Sequence, residues 1–259
     1  MGPAWRAPGS VSSRRAHKLV TMHIPTSGSP ASPALGLPAR TTAIILDLDG
    51  TITDSAPAIT ACVAEALEHF EYPVPEAAAL LSFVGPPIRE GFAQFGAVAE
   101  ADLDRVVAEY RARYRPRMVQ VPLFPGIAEL IRRWCDAGIP LGLATAKLQE
   151  MAEPILDSAG LAEYFTVIRG ATFQDSQELP GVQVKANVVA STLAGLTQAG
   201  TDVSGAVMIG DRHHDLEGAA VHKVPAVLVR WGYAAPGEEQ GAAAVADDAE
   251  HLARILSAP

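Results

Sequence analysis

Two aspartates lie two residues apart directly after a short apolar run. Residues 43–46 are apolar and precede Asp47, Leu48, Asp49 and Gly50. Side chains alternate along a strand, so Asp47 and Asp49 share one face if the backbone stays extended. Gly50 has no Cβ and lets the chain turn sharply. Because ligands bind beyond the carboxyl ends of parallel strands, this segment predicts acid chemistry at the mouth of a sheet.

Three further segments carry side chains suited to phosphoryl transfer. Thr145 follows a strand-like run, Lys185 begins a predicted helix, and Asp211 follows another run with Asp215 four residues later. A phosphate monoester is a dianion, so attack by a carboxylate such as Asp47 requires a nearby cation. Mg²⁺ prefers hard oxygen ligands, and a few carboxylates with water usually suffice. The four segments together therefore predict a magnesium-assisted reaction at a phosphoryl group.

The residue types also suggest a division of labour. Asp47 and Asp211 could bind the metal, with Asp215 holding a metal-bound water or Asp211 itself. Lys185 and Thr145 could neutralise and hydrogen-bond the transferring oxygens. An acid at position 49 is placed to protonate the leaving oxygen and later to deprotonate water.

Each segment alone also has a structural interpretation. Asp-x-Asp-Gly is a common turn sequence, and an isolated lysine such as Lys185 is usually solvated. Thr145 could cap a helix, and Asp211 and Asp215 could stabilise a helix N-terminus. The occurrence of all four segments in this order favours the catalytic interpretation.

Apolar runs alternate with helical patterns from Thr41 onward. Short apolar runs are typical of strands buried on both faces. We predict strands at Ala43–Leu46, Ile139–Ala144, Thr166–Arg169, Ala206–Ile209 and Ala226–Val229. We predict intervening helices at Gly126–Ala137, Met151–Ala159, Ala186–Leu196, Leu216–Val221 and Asp247–Leu256. This alternation predicts an α/β protein with a doubly wound parallel sheet.

Residues 57–123 interrupt the alternation because they contain helical patterns and no convincing strand. These helices are predicted at Ala58–Phe70, Glu76–Ser82, Pro87–Gln94 and Ala101–Arg113. We interpret 57–123 as a small helical cap inserted after the first strand, with 41–56 and 124–259 forming the core. A cap in this position would cover the strand-end site. Arg89 could point into the cleft and bind an anionic substrate, because its planar guanidinium suits carboxylate or phosphate.

Composition limits the class of protein. The chain has 259 residues and a formal net charge of −9. Residues 1–40 hold five of the 20 basic residues and no acid, which leaves 15 basic and 29 acidic residues, a net charge of −14, for the remainder. An acidic body repels nucleic acid, and no apolar stretch approaches the length of a membrane helix. We therefore expect neither a nucleic-acid nor a membrane partner.

The N-terminal 40 residues are rich in Pro, Gly, Ser and Ala and show no periodicity. Such a segment cannot bury enough surface to offset the entropy of ordering. It is either a disordered extension or an over-long start, with Met22 as the alternative initiator. Cys62 and Cys135 do not form a metal-binding or disulfide pattern, so we expect reduced thiols and a cytoplasmic protein, either a monomer or a homodimer.

From Thr41 to the C-terminus the chain resembles the haloacid dehalogenase superfamily of phosphohydrolases. Four motifs carry the resemblance: Asp47-x-Asp49-Gly50-Thr51, Thr145 after its strand, Lys185, and Gly210-Asp211-x₃-Asp215. The resemblance implies a Rossmann-like core and a small cap. It also implies a phosphorylated Asp47 and Mg²⁺ bound by Asp47, Asp211 and the backbone carbonyl of Asp49.

By the same resemblance, Asp49 is the general acid and base. Thr145, Lys185 and backbone amides near Asp49 and Ala146, including that of Gly50, would bind phosphate. An acid at position 49 resembles phosphatases and phosphomutases rather than dehalogenases.

Segments 83–90, 145–147 and 210–215 look most like phosphoglycolate phosphatase-like and 5′-nucleotidase-like members. We therefore expect a Mg²⁺-dependent phosphatase acting on a small phosphorylated metabolite. A phosphomutase of the β-phosphoglucomutase type and a non-catalytic binding module that retains the fold remain alternatives. We expect structural or exposed roles for His213 and His214, and a core-and-turn role for the segment 231–233.

Overall fold

Six parallel strands form one sheet in residues 35–257, the part of the chain that the computed structural model describes. The spatial order is β3-β2-β1-β4-β5-β6, and every pairing is parallel. The strands are β1 Ala43–Leu46, β2 Leu141–Leu148, β3 Val167–Ala171, β4 Ala206–Gly210, β5 Ala226–Val229 and β6 Ala244–Ala246. The chain runs outward from β1 in both directions, so the order reverses between β1 and β4. This reversal opens a crevice at the carboxyl ends of the strands.

The central strand β1 is covered on both faces. All four of its residues are fully buried. Ile44 and Leu46 pack into one hydrophobic cluster, and Ala43 and Ile45 pack into the cluster on the opposite face. Because neighbouring side chains alternate between faces, an unbroken apolar run is the pattern that a strand between two helical layers requires. The predicted doubly wound α/β fold is confirmed.

Six helices follow β1 in the core. They are α5 Ile127–Asp136, α6 Gln149–Ser158, α7 Asp175–Glu178, α8 Gly181–Gln198, α9 His213–Ala220 and α10 Ala249–Ser257. The apolar stripe of α5, which includes Ile127, Leu130, Ile131 and Trp134, is buried as its helical spacing predicts. Helix α8 begins at Gly181, five residues before the predicted start, and therefore includes Lys185.

The helical cap occupies the connection between β1 and β2. Its helices are α1 Ala56–His69, α2 Ala77–Leu80, α3 Ile88–Gln94 and α4 Glu100–Tyr114. Short 3₁₀ turns lie at Leu81–Phe83, Met118–Gln120 and, in the core, Ala162–Tyr164. The two connecting segments pair, because the Asp54 amide donates to the Pro122 carbonyl at 2.8 Å and the Phe124 amide donates to the Ile52 carbonyl at 3.0 Å. The predicted helical insertion is thus present, while its domain boundaries at 57 and 123 stay predictions.

Two strand predictions were wrong in detail. Strand β6 was not predicted, because its three residues, Ala244–Ala246, form too short a run to show a periodic pattern. Strand β2 continues beyond the predicted end at Ala144 to Leu148, with a shift in its pairing with β3 between Thr145 and Leu148. Thr145 therefore lies at an irregularity within the strand rather than after it.

Most of the predicted disordered extension, residues 1–40, lies outside the described residues. Its last six residues, 35–40, form neither helix nor strand. Among residues 35–257, no helix combines the length and apolar character needed to cross a bilayer.

Candidate active site

The candidate site lies where strands β1 and β4 end side by side. Leu46 pairs with Ile209, and the Asp47 amide donates a hydrogen bond to the Ile209 carbonyl at 2.9 Å. Asp47 and Asp211 therefore emerge next to each other at the point where the strand order reverses. The sequence-predicted convergence of these two carboxylates is confirmed.

Three carboxylates and one ammonium group share this buried position. One oxygen from each of Asp47, Asp211 and Asp215 lies within 4.8 Å of the other two. The Lys185 Nζ is 2.8 Å from Asp47 Oδ1 and 2.7 Å from Asp215 Oδ1, and it donates to the Ala144 carbonyl at 3.0 Å. All four charged side chains are at most 3 % exposed.

The charges of this cluster do not balance. Burial raises the pKa of Asp47 to about 6 despite the attraction of Lys185, and burial with the neighbouring Asp215 raises the pKa of Asp211 well above its ordinary value. Burial alone would lower the pKa of Lys185, but Asp215 and Asp47 reverse that effect and raise it. Three carboxylates thus face a single ammonium, and a further cation would relieve their repulsion.

The donor set suits a hard divalent cation. The three clustered carboxylates offer only oxygen ligands, as Mg²⁺ or Ca²⁺ prefers. Gly50 has φ +85°, and a Cβ there would lie 2.2 Å from Asp211 Oδ2. A Cβ at Gly210 would lie 2.2 Å from Asp215 Cγ. The two glycines therefore leave the space that the carboxylates occupy.

The Trp231–Tyr233 segment positions Asp211 and is more than the core and turn that its sequence suggested. The Tyr233 amide donates to Asp211 Oδ2 at 2.8 Å, and the Tyr233 hydroxyl donates to Asp54 at 2.6 Å. The indole of Trp231 donates to the Thr51 carbonyl at 3.1 Å. The sequence does not indicate the contact with Asp211, because it is made by a backbone amide, a group that every residue except proline carries.

Thr145 and Ala146 lie on the β2 side of the site. Thr145 is 1 % exposed, and its hydroxyl oxygen accepts a hydrogen bond from the Lys147 amide at 3.2 Å. Ala146 is buried and lines the cavity described below. The structure thus brings these two residues to the same end of the sheet as Asp49.

Lys147 is a site residue that sequence reasoning missed. Its Nζ lies 2.9 Å from Asp49 Oδ2 and donates to the Tyr114 hydroxyl of cap helix α4 at 2.8 Å. Within the described residues, Asp49 Oδ1 has no hydrogen-bond partner. The only signal in the sequence was the position of Lys147 two residues after Thr145. Its contact with Tyr114 depends on how the cap packs.

A cavity of about 50 Å³ lies between the cap and the core. The cap contributes mainly apolar and aromatic residues, and the core contributes two charged residues, Asp49 and Lys147, together with small and apolar ones. The lining residues are Asp49, Ile59, Phe83, Gly85, Pro86, Pro87, Ile88, Tyr110, Arg111, Tyr114, Ala146, Lys147, Leu148, Met151 and Ser176.

Arg89 does not line this cavity, contrary to the sequence-based expectation. Its guanidinium forms ion pairs with Glu100 and Asp104 of helix α4 and contacts Gln177 Oε1 at 3.4 Å. The arginine in the cavity wall is Arg111, which lies on the same helix as the two acids.

Arg212 connects the core to the cap segment between the 3₁₀ turn Leu81–Phe83 and helix α3. It donates to the Val84 carbonyl at 2.7 Å and binds both carboxylate oxygens of Glu238. The amide of His213 also donates to Glu238, at 3.1 Å. Burial opposes ionisation of Glu238, but the hydrogen bonds of His213 and Arg212 prevail and lower its pKa to about 2.

An α/β sheet with a helical cap and clustered carboxylates at its switch point defines a class of capped phosphoryl-transfer folds. Within that class, residues 44–229 match the model of the haloacid dehalogenase-like hydrolases. The chain belongs to this family, as the sequence motifs predicted.

Proteins similar to this chain are named as a kinase, a nucleotidase and a phosphatase. The chain is 39 % identical over 191 residues to the tyrosine-protein kinase PtkA of Mycobacterium tuberculosis, covering 73 % of this chain and 62 % of PtkA. It is 33 % identical to a 5′-nucleotidase of Pseudomonas aeruginosa, covering 75 % of this chain and 85 % of the relative. It is also 33 % identical to a phosphoglycolate phosphatase of Caulobacter vibrioides, covering 73 % and 79 % respectively. The match thus spans only about three fifths of PtkA.

A crystal structure described as a predicted phosphatase from Clostridium acetobutylicum has the same fold. Its TM-score is 0.75 at 28 % sequence identity, covering 84 % of this chain and 99 % of that one.

Gly232→Ala should disturb the carboxylate cluster. The new Cβ would lie 2.3 Å from both Asp211 Cβ and the Gly50 carbonyl oxygen, so we expect the free energy of unfolding to fall by about 1–3 kcal/mol. Chemical denaturation with and without Mg²⁺ measures this loss and any weakening of metal-induced stabilisation. Gly36→Ala is the control, because nothing lies within 4 Å of that position. Equal free energies of unfolding for the two variants would show that the added Cβ at position 232 does not crowd Asp211.

Glu238→Gln should lower stability at neutral pH more than at acid pH. The lowered pKa of Glu238, about 2, means that its ionised form stabilises the folded state above about pH 4.5 and that this contribution disappears as pH falls towards 2. We expect a deficit of about 1–2 kcal/mol at pH 7 that shrinks at pH 3. Denaturant titrations of both proteins at the two pH values measure it. A constant deficit would show that the loss is not electrostatic.

Proposed function

We propose that this protein is a Mg²⁺-dependent phosphatase that hydrolyses a small phosphorylated metabolite through an aspartyl-phosphate on Asp47. One observation carries the proposal. Asp47 lies in a buried, negatively charged cluster with Asp211 and Asp215, it contacts Lys185 at 2.8 Å, and Asp49 follows two residues later. That combination offers a nucleophile, a cation site and an acid beside one cavity.

In this proposal Asp47, Asp211 and the backbone carbonyl of Asp49 would hold the metal. Asp215 would serve as a further ligand or would orient Asp211. When bound, Mg²⁺ would supply the positive charge that lets a carboxylate approach a phosphate dianion. The Lys185 ammonium contacts Asp47 at 2.8 Å and Asp215 at 2.7 Å and so holds both carboxylates in place.

The first half of the reaction transfers the phosphoryl group to the protein. A carboxylate oxygen of Asp47 forms a bond to phosphorus, and the bond from phosphorus to the leaving oxygen breaks. Asp49 donates its proton to that oxygen, and the product departs with a neutral hydroxyl group in place of the ester oxygen. Lys185, Thr145 and the amides of Ala146 and Gly50 stabilise the transferring oxygens.

The second half releases phosphate. Asp49, now ionised, takes a proton from water while the water oxygen bonds to phosphorus. The bond between phosphorus and the Asp47 oxygen breaks, which restores the free carboxylate and yields inorganic phosphate. The Lys147 ammonium, 2.9 Å from Asp49 Oδ2, is placed to orient the carboxylate in this ionised state.

The size of the cavity between the cap and the core favours a small substrate. The cavity of about 50 Å³ has room for only a few water-sized groups, so a compact leaving group fits better than a protein side chain on a folded partner. Phosphoglycolate-like or nucleoside-monophosphate-like esters are the candidates that the names of the relatives support. A larger nucleoside would require the cap to open further.

Two other activities use the same intermediate. A phosphomutase of the β-phosphoglucomutase type would return the phosphoryl group to a second hydroxyl of its substrate. The identity to a tyrosine-protein kinase favours, as a second candidate, transfer from a nucleotide to a tyrosine hydroxyl. Both differ from hydrolysis in the acceptor of the phosphoryl group, and a non-catalytic binding module would show neither chemistry.

The deciding experiment measures phosphate release by the purified full chain. We expect release from at least one of phosphoglycolate, nucleoside monophosphates and sugar phosphates, with loss in EDTA and recovery on adding Mg²⁺. Isomerisation of a sugar phosphate without release would indicate a mutase. Phosphotyrosine formed from ATP and a tyrosine peptide, without phosphate release from the esters, would indicate a kinase.

Asp47→Asn should abolish turnover, because an amide oxygen is a far weaker nucleophile and a weaker metal ligand than a carboxylate. We expect a fall in kcat of at least about 10³-fold, measured by phosphate release, with the fold checked by circular dichroism. Substantial Mg²⁺-dependent activity in this variant would show that Asp47 is not the nucleophile.

Asp49→Asn should slow both half-reactions by about 10²- to 10⁴-fold for alkyl phosphates. The first step should be less affected with p-nitrophenyl phosphate, because that leaving group needs no proton. We therefore expect the phosphorylated protein to accumulate with this substrate, detected by intact-protein mass spectrometry. An equal defect in the first step for both types of ester would argue against an acid role for Asp49.

A further inference from the structure

Arg111 differs from the other arginines of helix α4 and of the turn that follows it. Each of the others forms an ion pair: Arg105 with Asp102, Arg113 with Glu65 and Glu109, Arg115 with Glu150, and Arg117 with Glu65. Within the described residues, the Arg111 side chain forms no ion pair and no hydrogen bond. Its guanidinium instead lies over the ring of Phe173, an exposed side chain outside the cap, 5.1 Å from the centroid.

The guanidinium of Arg111 is held where an unpaired charge is costly. Burial lowers the pKa of Arg111, and Glu150, the acid whose charge opposes this effect, already pairs with Arg115 at 2.8 Å. A half-buried cation without a counter-charge loses part of its hydration and gains no ion pair in return. An anionic ligand at this position would relieve that cost.

The cavity next to Arg111 is the place for the leaving group of the substrate. Asp49, the proposed donor of a proton to the leaving oxygen, lines the cavity, whereas Asp47 and Lys185 do not. The phosphoryl group must contact Asp47, so the part of the substrate that extends into the cavity is the alcohol side of the ester. Arg111 reaches the same cavity from the cap.

The wall of this cavity carries an excess positive charge. Its charged residues are Asp49, Lys147 and Arg111. Lys147 lies 2.9 Å from Asp49, and this single carboxylate can offset at most one of the two positive charges, so an excess remains in either protonation state of Asp49. Tyr110 and Tyr114, which also line the cavity, add no negative charge, because a tyrosine hydroxyl is protonated at neutral pH and burial raises the pKa of both further.

We propose that Arg111 forms a subsite for a second anionic group, a carboxylate or a phosphate, on the leaving group of the substrate. This inference rests on the proposed function and narrows its substrate class. A guanidinium offers parallel N–H donors that match the two oxygens of such a group. Substrates with a neutral or cationic leaving group lack this interaction.

The test compares esters that differ mainly in the charge of the leaving group. Phosphoglycolate carries a carboxylate, 2-hydroxyethyl phosphate is neutral at that end, and phosphoethanolamine is cationic. Arg111→Ala should lower kcat/KM for phosphoglycolate by about 10- to 100-fold and leave the value for 2-hydroxyethyl phosphate within about threefold. Propane-1,3-diol bisphosphate in place of phosphoglycolate shows whether the second group is a phosphate or a carboxylate.

Two further variants separate charge from structure. Arg111→Lys keeps the charge and loses the two-pronged geometry, so it should retain part of the preference for the anionic ester. Arg105→Ala is the matched control on the same helix, because Arg105 is largely exposed and pairs with Asp102. This control should keep the selectivity of the unaltered protein.

A binding measurement keeps this inference separate from the proposed function. Asp47→Asn protein with Mg²⁺ should bind phosphoglycolate more tightly than 2-hydroxyethyl phosphate by calorimetry, and adding Arg111→Ala should remove the difference. If the unaltered protein releases phosphate from none of the esters, the proposed phosphatase activity is wrong, but the binding comparison still tests the Arg111 subsite. Equal losses for anionic and neutral esters, or a binding preference that survives Arg111→Ala, would overturn the subsite.

Discussion

The arrangement of the site depends on the buried ammonium group of Lys185. It joins Asp47 after strand β1 to Asp215 in helix α9, at 2.8 and 2.7 Å, and also binds the Ala144 carbonyl of strand β2. Without this charge, the carboxylates would repel one another in a region that excludes water, and at least one would have to take up a proton. Lys185 therefore allows acidic residues from separate segments to share one buried position while a net negative charge remains for a cation.

The backbone adapts to that cluster as much as the side chains do. Parallel strands β1 and β4 bring Asp47 and Asp211 together at the switch point, and the missing side chains of Gly50, Gly210 and Gly232 leave room for the carboxylates. Lys185 and the Tyr233 amide hold the carboxylates in that space without any ligand. Preorganisation of this kind is what electrostatic catalysis requires, since the groups need not move when charge develops.

The cap adds a second level of organisation at the same edge of the sheet. Tyr114 contacts Lys147, which contacts Asp49, and Arg212 binds the Val84 carbonyl at the start of the third cap helix. The core thus holds the groups suited to phosphoryl chemistry, and the cap forms most of the wall of the adjoining cavity. In the proposed function, the core would therefore carry the chemistry and the cap the selectivity, and the two parts meet at Asp49.

The parallel α/β core and the helical insertion could be predicted from the chain alone, because apolar periodicity and strand ends are local signals that a parallel sheet translates directly into position. The four motifs in their order along the chain predicted that Asp47, Lys185, Asp211 and Asp215 converge. The contacts of Lys147 and of the Tyr233 amide could not be predicted, since they depend on how segments distant along the chain pack together. Only the tertiary structure decided that Arg111, and not Arg89, faces the cavity. Glu100 and Asp104 lie one turn apart on α4 and bind Arg89, and no pattern along the chain reveals which arginine such a pair will take.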